Sequence, residues 1–162
     1  MSCREYLKTT NTGVLIADAL RGRLHFPELP GGRDAFLRAL DYPAVLLFPA
    51  EDAMPASAML AMQRDDHAAA AMPRSVVILD GTWPQARKLR TFVPDDVRCV
   101  AVDVAAPSSF NDIRRQTRED RVCTLEAAAM YLEQAHGIDG VLTAVRDVLA
   151  AKTVAHRRAG RR

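Results

Sequence analysis

The chain has 162 residues, of which 49% are hydrophobic and 26% are charged. This length suits one compact domain, and the composition excludes a wholly disordered or collagen-like chain. The 22 basic and 20 acidic residues leave a net charge of +2, which by itself indicates no nucleic-acid partner. The distribution is more informative, because five basic residues and no acidic ones lie in residues 152–162. We therefore expect a single domain over residues 1–162 that ends in a basic tail.

The three cysteines, Cys3, Cys99 and Cys123, lie far apart and form no CxxC pair. This spacing favours neither a disulfide framework nor a zinc site. No apolar run approaches the roughly 18 residues that a membrane-spanning helix needs, and no signal-type apolar segment follows Met1. The sequence therefore predicts a soluble cytoplasmic protein with no metal and no membrane partner.

Short helices and Val-rich strands alternate over the first two thirds of the chain. The pattern predicts a helix to about Leu20, a loop at 26–32 and a second helix at 33–40. Helical stretches separate three apolar runs, as parallel crossover connections require. These runs, which are typical of strands covered on both faces, are residues 44–48, 76–79 and 99–104.

The last third of the chain is predicted to be mostly helical, because all nine prolines lie at or before Pro107. Apolar residues at i, i+1, i+4, i+7 and i+8 give the final helix one face that should pack. They are Val141, Leu142, Val145, Val148 and Leu149. Together the elements indicate an α/β domain with a mostly parallel sheet and helices on both faces.

Several common catalytic motifs are absent from the sequence. There is no GxxxxGK[ST] phosphate loop, no GxGxxG after a strand, no GxSxG elbow and no HExxH. The four histidines are scattered along the chain, which suits ordinary surface or core positions better than a shared site. ATP hydrolysis, Rossmann-type dinucleotide chemistry and zinc hydrolysis therefore lose support.

The segment Asp80-Gly81-Thr82-Trp83 directly follows the second predicted strand. It places a carboxylate at the carboxyl edge of a strand, which is where open α/β sheets bind ligands. Thr82 and Gln85 fit a capping box, so a structural role accounts for them. Such a role does not account for Asp80, because a buried acid is costly unless it is paired or used. The pattern alone leaves both a functional and a structural role open at this segment.

Four arginines and two acids lie within residues 114–121. A solvated loop with local ion pairs explains this run, and so does a loop whose guanidinium groups grip phosphate. The next helix has Thr124 as its predicted cap and Glu126 in its first turn. The free N–H groups at that helix start have a structural use, and they could equally hold a ligand.

The D-x-T-W order of Asp80, Thr82 and Trp83 resembles the DTW-domain family of tRNA-uridine aminocarboxypropyltransferases. Three further blocks agree in kind and order, so the resemblance covers roughly residues 8–130. Four blocks in the right order are much more specific than the short motif alone. The further blocks are residues 10–13 (TNTG), 46–53 (LLFPAEDA) and 123–127 (CTLEA).

The resemblance implies a SPOUT-like fold with a C-terminal trefoil knot that binds S-adenosylmethionine as co-substrate. The implied reaction, a tRNA modification, transfers the 3-amino-3-carboxypropyl group to N3 of a tRNA uridine and leaves methylthioadenosine. The implied partner is tRNA, and the implied assembly is a monomer or a homodimer. The N-terminal cysteine cluster that binds zinc in family members has no counterpart in this sequence, so no metal is expected.

The resemblance also implies roles for single residues. Asp80 and Trp83 belong to the reaction centre, with Asp80 as general base for uridine N3 and Trp83 stacked on the uracil or facing the sulfonium. The implied cofactor contacts are Asn11, Thr12, Gly13, Pro49, Asp52, Thr82, Thr124 and Leu125. The expected contacts to the tRNA backbone are Arg87, Lys88, Arg114, Arg115 and Arg118.

Two other functions compete with this interpretation. A SPOUT-type RNA methyltransferase would use the same cofactor with the methyl carbon aligned for attack, and it would leave adenosylhomocysteine. A non-catalytic RNA-binding domain would keep the fold without the reaction. Asp80 and Trp83 argue against this second alternative, because a binding domain does not need them.

Overall fold

A computed structural model describes residues 1, 12–65, 71–105 and 122–159, with side chains described up to residue 155. Within these ranges helices separate the three strands that the sequence predicts. The helices are α1 (Gly13–Ala19), α2 (Gly32–Arg38), α3 (Ala56–Gln63), α4 (Trp83–Arg90), α5 (Thr124–His136) and α6 (Val141–Ala159). The strands are β1 (Ala44–Leu47), β2 (Met54–Pro55), β3 (Ser75–Ile78) and β4 (Arg98–Ala101).

The four strands form one sheet in the order β2-β4-β1-β3, and every neighbouring pair is parallel. The central strand β1 pairs with β3 from Ala44 opposite Ser75 to Leu47 opposite Ile78. The predicted parallel sheet is therefore confirmed. Because the strands are parallel, their carboxyl ends share one edge, which is the edge where such sheets bind ligands.

Side chains of β1 alternate between two separate cores. Ala44 and Leu46 pack with residues of α2 and α4, whereas Val45 and Leu47 pack with residues of α3 and α5. Helices thus cover both faces, as predicted, and this explains why the strand is apolar at every position instead of alternating.

The third predicted strand is shorter than expected, because it ends at Ala101 instead of residue 104. Its neighbours β1 and β2 end opposite Val100 and Ala101, so no described strand continues beside the later residues. The backbone N–H of Asp103 instead donates to the side chain of Gln134 at 2.9 Å. Backbone groups that lose their strand partner take a side-chain partner here.

Helices α5 and α6 confirm the predicted helical C-terminal part. Leu149 of α6 is fully buried and packs with Ile16 and Leu125, and Val145 packs against the same cluster. The prediction for Val148 was wrong, because its side chain is 52% exposed. Successive residues turn about 100° around a helix, which carries Val148 off the buried side that Leu149 occupies. No helix in the described ranges combines the length and apolar character of a membrane span.

Candidate active site

Asp80 lies at the carboxyl edge of the sheet, two residues after the end of β3. Its side chain is only 4% exposed. A carboxylate that leaves water loses strong hydration, so it must gain partners inside the protein or bind a ligand. The contacts of its two oxygens therefore decide what this residue can do.

The two carboxylate oxygens of Asp80 have different surroundings. The hydroxyl of Thr124, the first residue of α5, donates to Oδ1 at 2.9 Å. The other oxygen, Oδ2, is buried and has no hydrogen-bond partner among the described residues. One oxygen is thus oriented by the protein, and the other retains its full capacity to accept a proton or a hydrogen bond.

The expectation that Thr124 caps α5 was wrong. Cys123 occupies the N-cap position, and its backbone N–H donates to Oε2 of Glu126 at 3.1 Å. Thr124 instead begins the helix and uses its hydroxyl on Asp80. The hydroxyl that the sequence marked as a cap thus makes a tertiary hydrogen bond across 44 positions of sequence.

Gly13 packs directly against Asp80. A Cβ atom at position 13 would overlap Cγ of Asp80 and would lie 2.7 Å from Oδ2. The preceding residue, Thr12, is 1% exposed at the N-cap position of α1. The block 10–13 of the sequence thus reaches the carboxylate with its last residue. Asn11 lies outside the described residues.

Thr82 has the structural role that its spacing predicts. Its backbone N–H and its hydroxyl both donate to Oε1 of Gln85, at 2.6 and 2.8 Å, and these contacts belong to the capping box of α4. The hydroxyl proton of Thr82 is therefore already used within the helix cap.

Trp83 connects the loops that follow β1 and β3. Its ring lies 5.9 Å from the ring of Phe48, measured between centroids, at an angle of 56°. The guanidinium carbon of Arg90 lies 5.3 Å from the centroid of the same Phe48 ring. Trp83 is half-buried and packs against the core between α2, α4 and the sheet. A structural role, anchoring the loop that follows β3, therefore accounts in part for a tryptophan at this position.

A cavity of about 510 Å³ runs along β3 and reaches Asp80. Small-molecule sites typically enclose about 300–1,000 Å³, so this space suits a ligand the size of a nucleoside derivative. Apolar side chains such as Ile16, Val77 and Leu89 form part of its wall. Of the residues predicted for the site, Gly13, Asp80 and Thr124 line this cavity.

Among the described residues, the other predicted cofactor contacts do not line this cavity. Leu125 is buried in the core between α1, α5 and α6. Pro49 and Asp52 are exposed in the loop after β1. Pro49 follows Leu47 by two residues, as Asp80 follows Ile78, so both lie at the same edge of the sheet.

Residues that the sequence did not mark also line the cavity. His25 faces it, and burial, the N-terminal amine and Arg23 lower the pKa of its imidazole. His136 lines it too, with Nδ1 at 2.6 Å from Nε2 of Gln63 and its ring edge against Tyr131. Their positions in separate elements give no motif spacing from which they could have been found.

Cys123 is buried beside this edge, and its environment makes it unreactive. Burial, reinforced by the neighbouring carboxylate of Glu126, raises the pKa of the Cys123 thiol to about 12. The thiol therefore stays protonated at neutral pH, where only a thiolate would act as a nucleophile. Among the described residues, no three His, Cys, Asp or Glu side chains cluster as a metal site would require.

The predicted tRNA contacts divide between described and undescribed parts of the chain. Arg87 and Lys88 are exposed on α4, whose last turn also carries Arg90. Lys88 pairs with Glu28, with 3.1 Å between Nζ and Oε1. Arg114, Arg115 and Arg118 lie outside the described residues.

Comparisons with known proteins agree with the motif. A family model described as the DTW domain matches residues 1–155. The tRNA-uridine aminocarboxypropyltransferase 2 of Drosophila melanogaster is 36% identical over 101 residues, a match that covers 59% of this chain. The match covers 36% of that relative, so the chain spans little more than a third of its length. No solved structure matches the chain.

Proposed function

The chain belongs to the DTW-domain family, and from this we propose that it transfers the 3-amino-3-carboxypropyl group of S-adenosylmethionine to N3 of a uridine in tRNA. Methylthioadenosine is the second product. The curated relative carries the name of this class of enzyme. The observation that carries the proposal is the carboxylate of Asp80, buried at the end of a cavity with one oxygen held by Thr124 and the other unpartnered.

In this proposal Asp80 acts as the general base. Uridine N3 holds its proton at neutral pH, so it must lose that proton to become a nucleophile. Oδ2 of Asp80 accepts the proton, and N3 forms a bond to the sulfonium-bound methylene carbon of the 3-amino-3-carboxypropyl group. The bond between that carbon and sulfur breaks, and its electron pair stays on sulfur as the neutral thioether. Thr124 keeps the carboxylate in one orientation while this happens.

The cavity fits S-adenosylmethionine in size and in chemistry. The cofactor supplies an electrophilic carbon activated by a sulfonium, and it carries an ammonium as well. A buried carboxylate at the end of an apolar cavity attracts such a cationic ligand. We assign Gly13 and Thr124 to the cofactor end of the cavity. The other cofactor contacts are proposed from the family resemblance alone, because the described ones do not line the cavity. They are Asn11, Thr12, Pro49, Asp52, Thr82 and Leu125. Trp83 stacks on the uracil or faces the sulfonium.

The same proposal includes a SPOUT-like arrangement with a C-terminal trefoil knot. The parallel sheet, the helices on both faces and the start of α5 at Asp80 are compatible with it. Basic residues of α4 bind the tRNA backbone, together with Arg114, Arg115 and Arg118. A tRNA-modifying role fits the cytoplasm, and either a monomer or a homodimer could perform it.

Incubation with bulk unmodified tRNA and S-adenosylmethionine tests this function. Nucleoside mass spectrometry should detect 3-(3-amino-3-carboxypropyl)uridine in the tRNA and methylthioadenosine in the supernatant. Adenosylhomocysteine together with a methylated nucleoside would instead identify an RNA methyltransferase. Binding of tRNA with neither product would identify a non-catalytic RNA-binding domain. Either of these results contradicts the proposal.

A further inference from the structure

Glu126 is buried more completely than its capping role requires. Its side chain is 0% exposed, although its Oε2 accepts the Cys123 N–H in a contact that normally forms at a helix surface. Burying a carboxylate costs free energy unless a compensating charge lies nearby. The surroundings of its second oxygen, Oε1, therefore determine whether this charge is compensated.

Arg146 of α6 supplies a compensating charge. Its Nε lies 3.9 Å from Oε1 of Glu126, a distance that permits an ion pair but is too long for a hydrogen bond. This Nε is buried and has no hydrogen-bond partner among the described residues. The Arg146 side chain as a whole is 35% exposed, so the group reaches from the surface of α6 to the buried carboxylate.

The turn between Cys123 and Glu126 also carries Thr124, whose hydroxyl binds Asp80. This first turn of α5 is thus bonded to the end of β3 on one side and paired with α6 on the other. A shift of the turn would move the Thr124 hydroxyl and with it the carboxylate of Asp80. Misplacement of a reacting group by about 1 Å can cost about a hundredfold in rate.

We propose that Glu126 and Arg146 are positioning residues for the reaction centre. Their ion pair fixes the first turn of α5, so that Thr124 holds Oδ1 of Asp80 while Oδ2 stays without a hydrogen-bond partner among the described residues. This inference rests on the proposed function, in which Asp80 accepts the proton of uridine N3. It assigns a catalytic purpose to α6, from which no described side chain lines the cavity.

The substitution Glu126→Gln tests the ion pair while it leaves the helix cap in place. Glutamine keeps an oxygen that can accept the Cys123 N–H, but it removes the charge that Arg146 faces. Arg146→Met removes the other charge and keeps a side chain that packs, whereas Arg146→Lys retains the charge. If Glu126→Gln does not fold, the two Arg146 variants carry the test, because their position is partly exposed.

Glu133 provides a matched control on the same helix. Its Oε1 accepts the backbone N–H of Leu142 at 2.8 Å, so it also connects α5 with α6. It lies about two turns beyond Glu126, away from the first turn of the helix. Glu133→Gln makes the same chemical change in the same pair of helices without touching the turn that holds Thr124.

We expect Glu126→Gln and Arg146→Met each to lower kcat of transfer about tenfold to a hundredfold. KM for S-adenosylmethionine should change little, because neither residue lines the cavity. The double variant should be no slower than the slower single variant, since both changes break one pair. Arg146→Lys should recover most of kcat, and Glu133→Gln should keep kcat within about twofold.

Amide hydrogen exchange gives a second readout that needs no reaction. Protection of the backbone in the first turn of α5 should fall in Glu126→Gln and stay unchanged in Glu133→Gln. Normal kcat and normal protection in Glu126→Gln would overturn the inference, and so would an equal loss of kcat in Glu133→Gln. If the wild-type chain does not transfer the 3-amino-3-carboxypropyl group, the proposed function fails, and the catalytic purpose of the pair fails with it. Amide hydrogen exchange then decides only whether the pair fixes the first turn of α5.

Discussion

At the scale of single residues, the site depends on one carboxylate that the protein buries and only half satisfies. Thr124 donates to Oδ1 of Asp80, and Oδ2 has no partner among the described residues. An unsatisfied buried oxygen costs about 1–3 kcal/mol, so a fold that keeps one is expected to use it. Gly13 sharpens the same point, because any larger side chain there would collide with the carboxyl group.

Replacing Asp80 with asparagine tests this use directly. Asparagine has nearly the same shape and keeps an oxygen for the Thr124 hydroxyl, but it cannot take the proton of uridine N3. We expect transfer to fall about 10²- to 10⁴-fold, the range of general base catalysis. Nucleoside mass spectrometry with unmodified tRNA measures the loss. Asp103→Asn is the control, since Asp103 is an exposed acid after β4 at the same edge of the sheet. Full activity of Asp80→Asn would exclude it as the base.

The sequence was sufficient to place an acid, Asp80, at the end of a strand, but not to predict its surroundings. The sequence shows an acid immediately after an apolar strand. Such an acid indicates a specific role, because burying a carboxylate costs free energy. Its partner Thr124 lies 44 positions away, and nothing local relates the two. The cavity residues His25 and His136 were missed for the same reason, because the fold alone brings their separate elements together.

At the scale of elements, local capping patterns predicted α4 better than α5. The capping box of α4 is complete within Thr82–Gln85, so the sequence contains all of it. The start of α5 depends on contacts to Asp80 and Arg146 from outside the helix. Because the sequence does not show these tertiary contacts, the predicted cap differs from the observed one by one residue. Strand β2 has only two residues, which is too short for a periodic pattern to predict.

The cap of α4 should contribute measurable stability. Thr82→Ala removes the hydroxyl that donates to Gln85, and loss of an N-cap typically costs about 1 kcal/mol. For a chain of this length we expect the midpoint of thermal unfolding to fall by about 2–4 °C. Thr91→Ala is the matched control at the other end of α4, where an exposed hydroxyl donates to the carbonyl of Lys88. An equal loss in both variants would contradict a specific role of the capping box.

At the scale of the whole molecule, the near-neutral net charge conceals a local concentration of positive charge. The net charge is +2, yet the last turn of α4 carries Arg87, Lys88 and Arg90 within four residues. This helix begins immediately after the segment that holds Asp80. The order of the strands was beyond the sequence pattern, because all the strands are short, apolar and alike. The sheet places β3, and hence α4, at one end of the order β2-β4-β1-β3.

The position of α4 predicts how tRNA binding depends on charge. Arg87 is exposed on this helix, so Arg87→Gln should raise KM for tRNA and lessen the slope of log affinity against log salt by about one. The KM for S-adenosylmethionine and kcat should stay near their wild-type values, because the contact is to phosphate and lies outside the cavity. Arg64→Gln is the control, since Arg64 is exposed at the end of α3 on the opposite face of the sheet. Titrations at several salt concentrations measure both slopes. If the two variants bind tRNA equally well at every salt concentration, then α4 does not face the tRNA, and the positive charge that binds it lies elsewhere on the molecule.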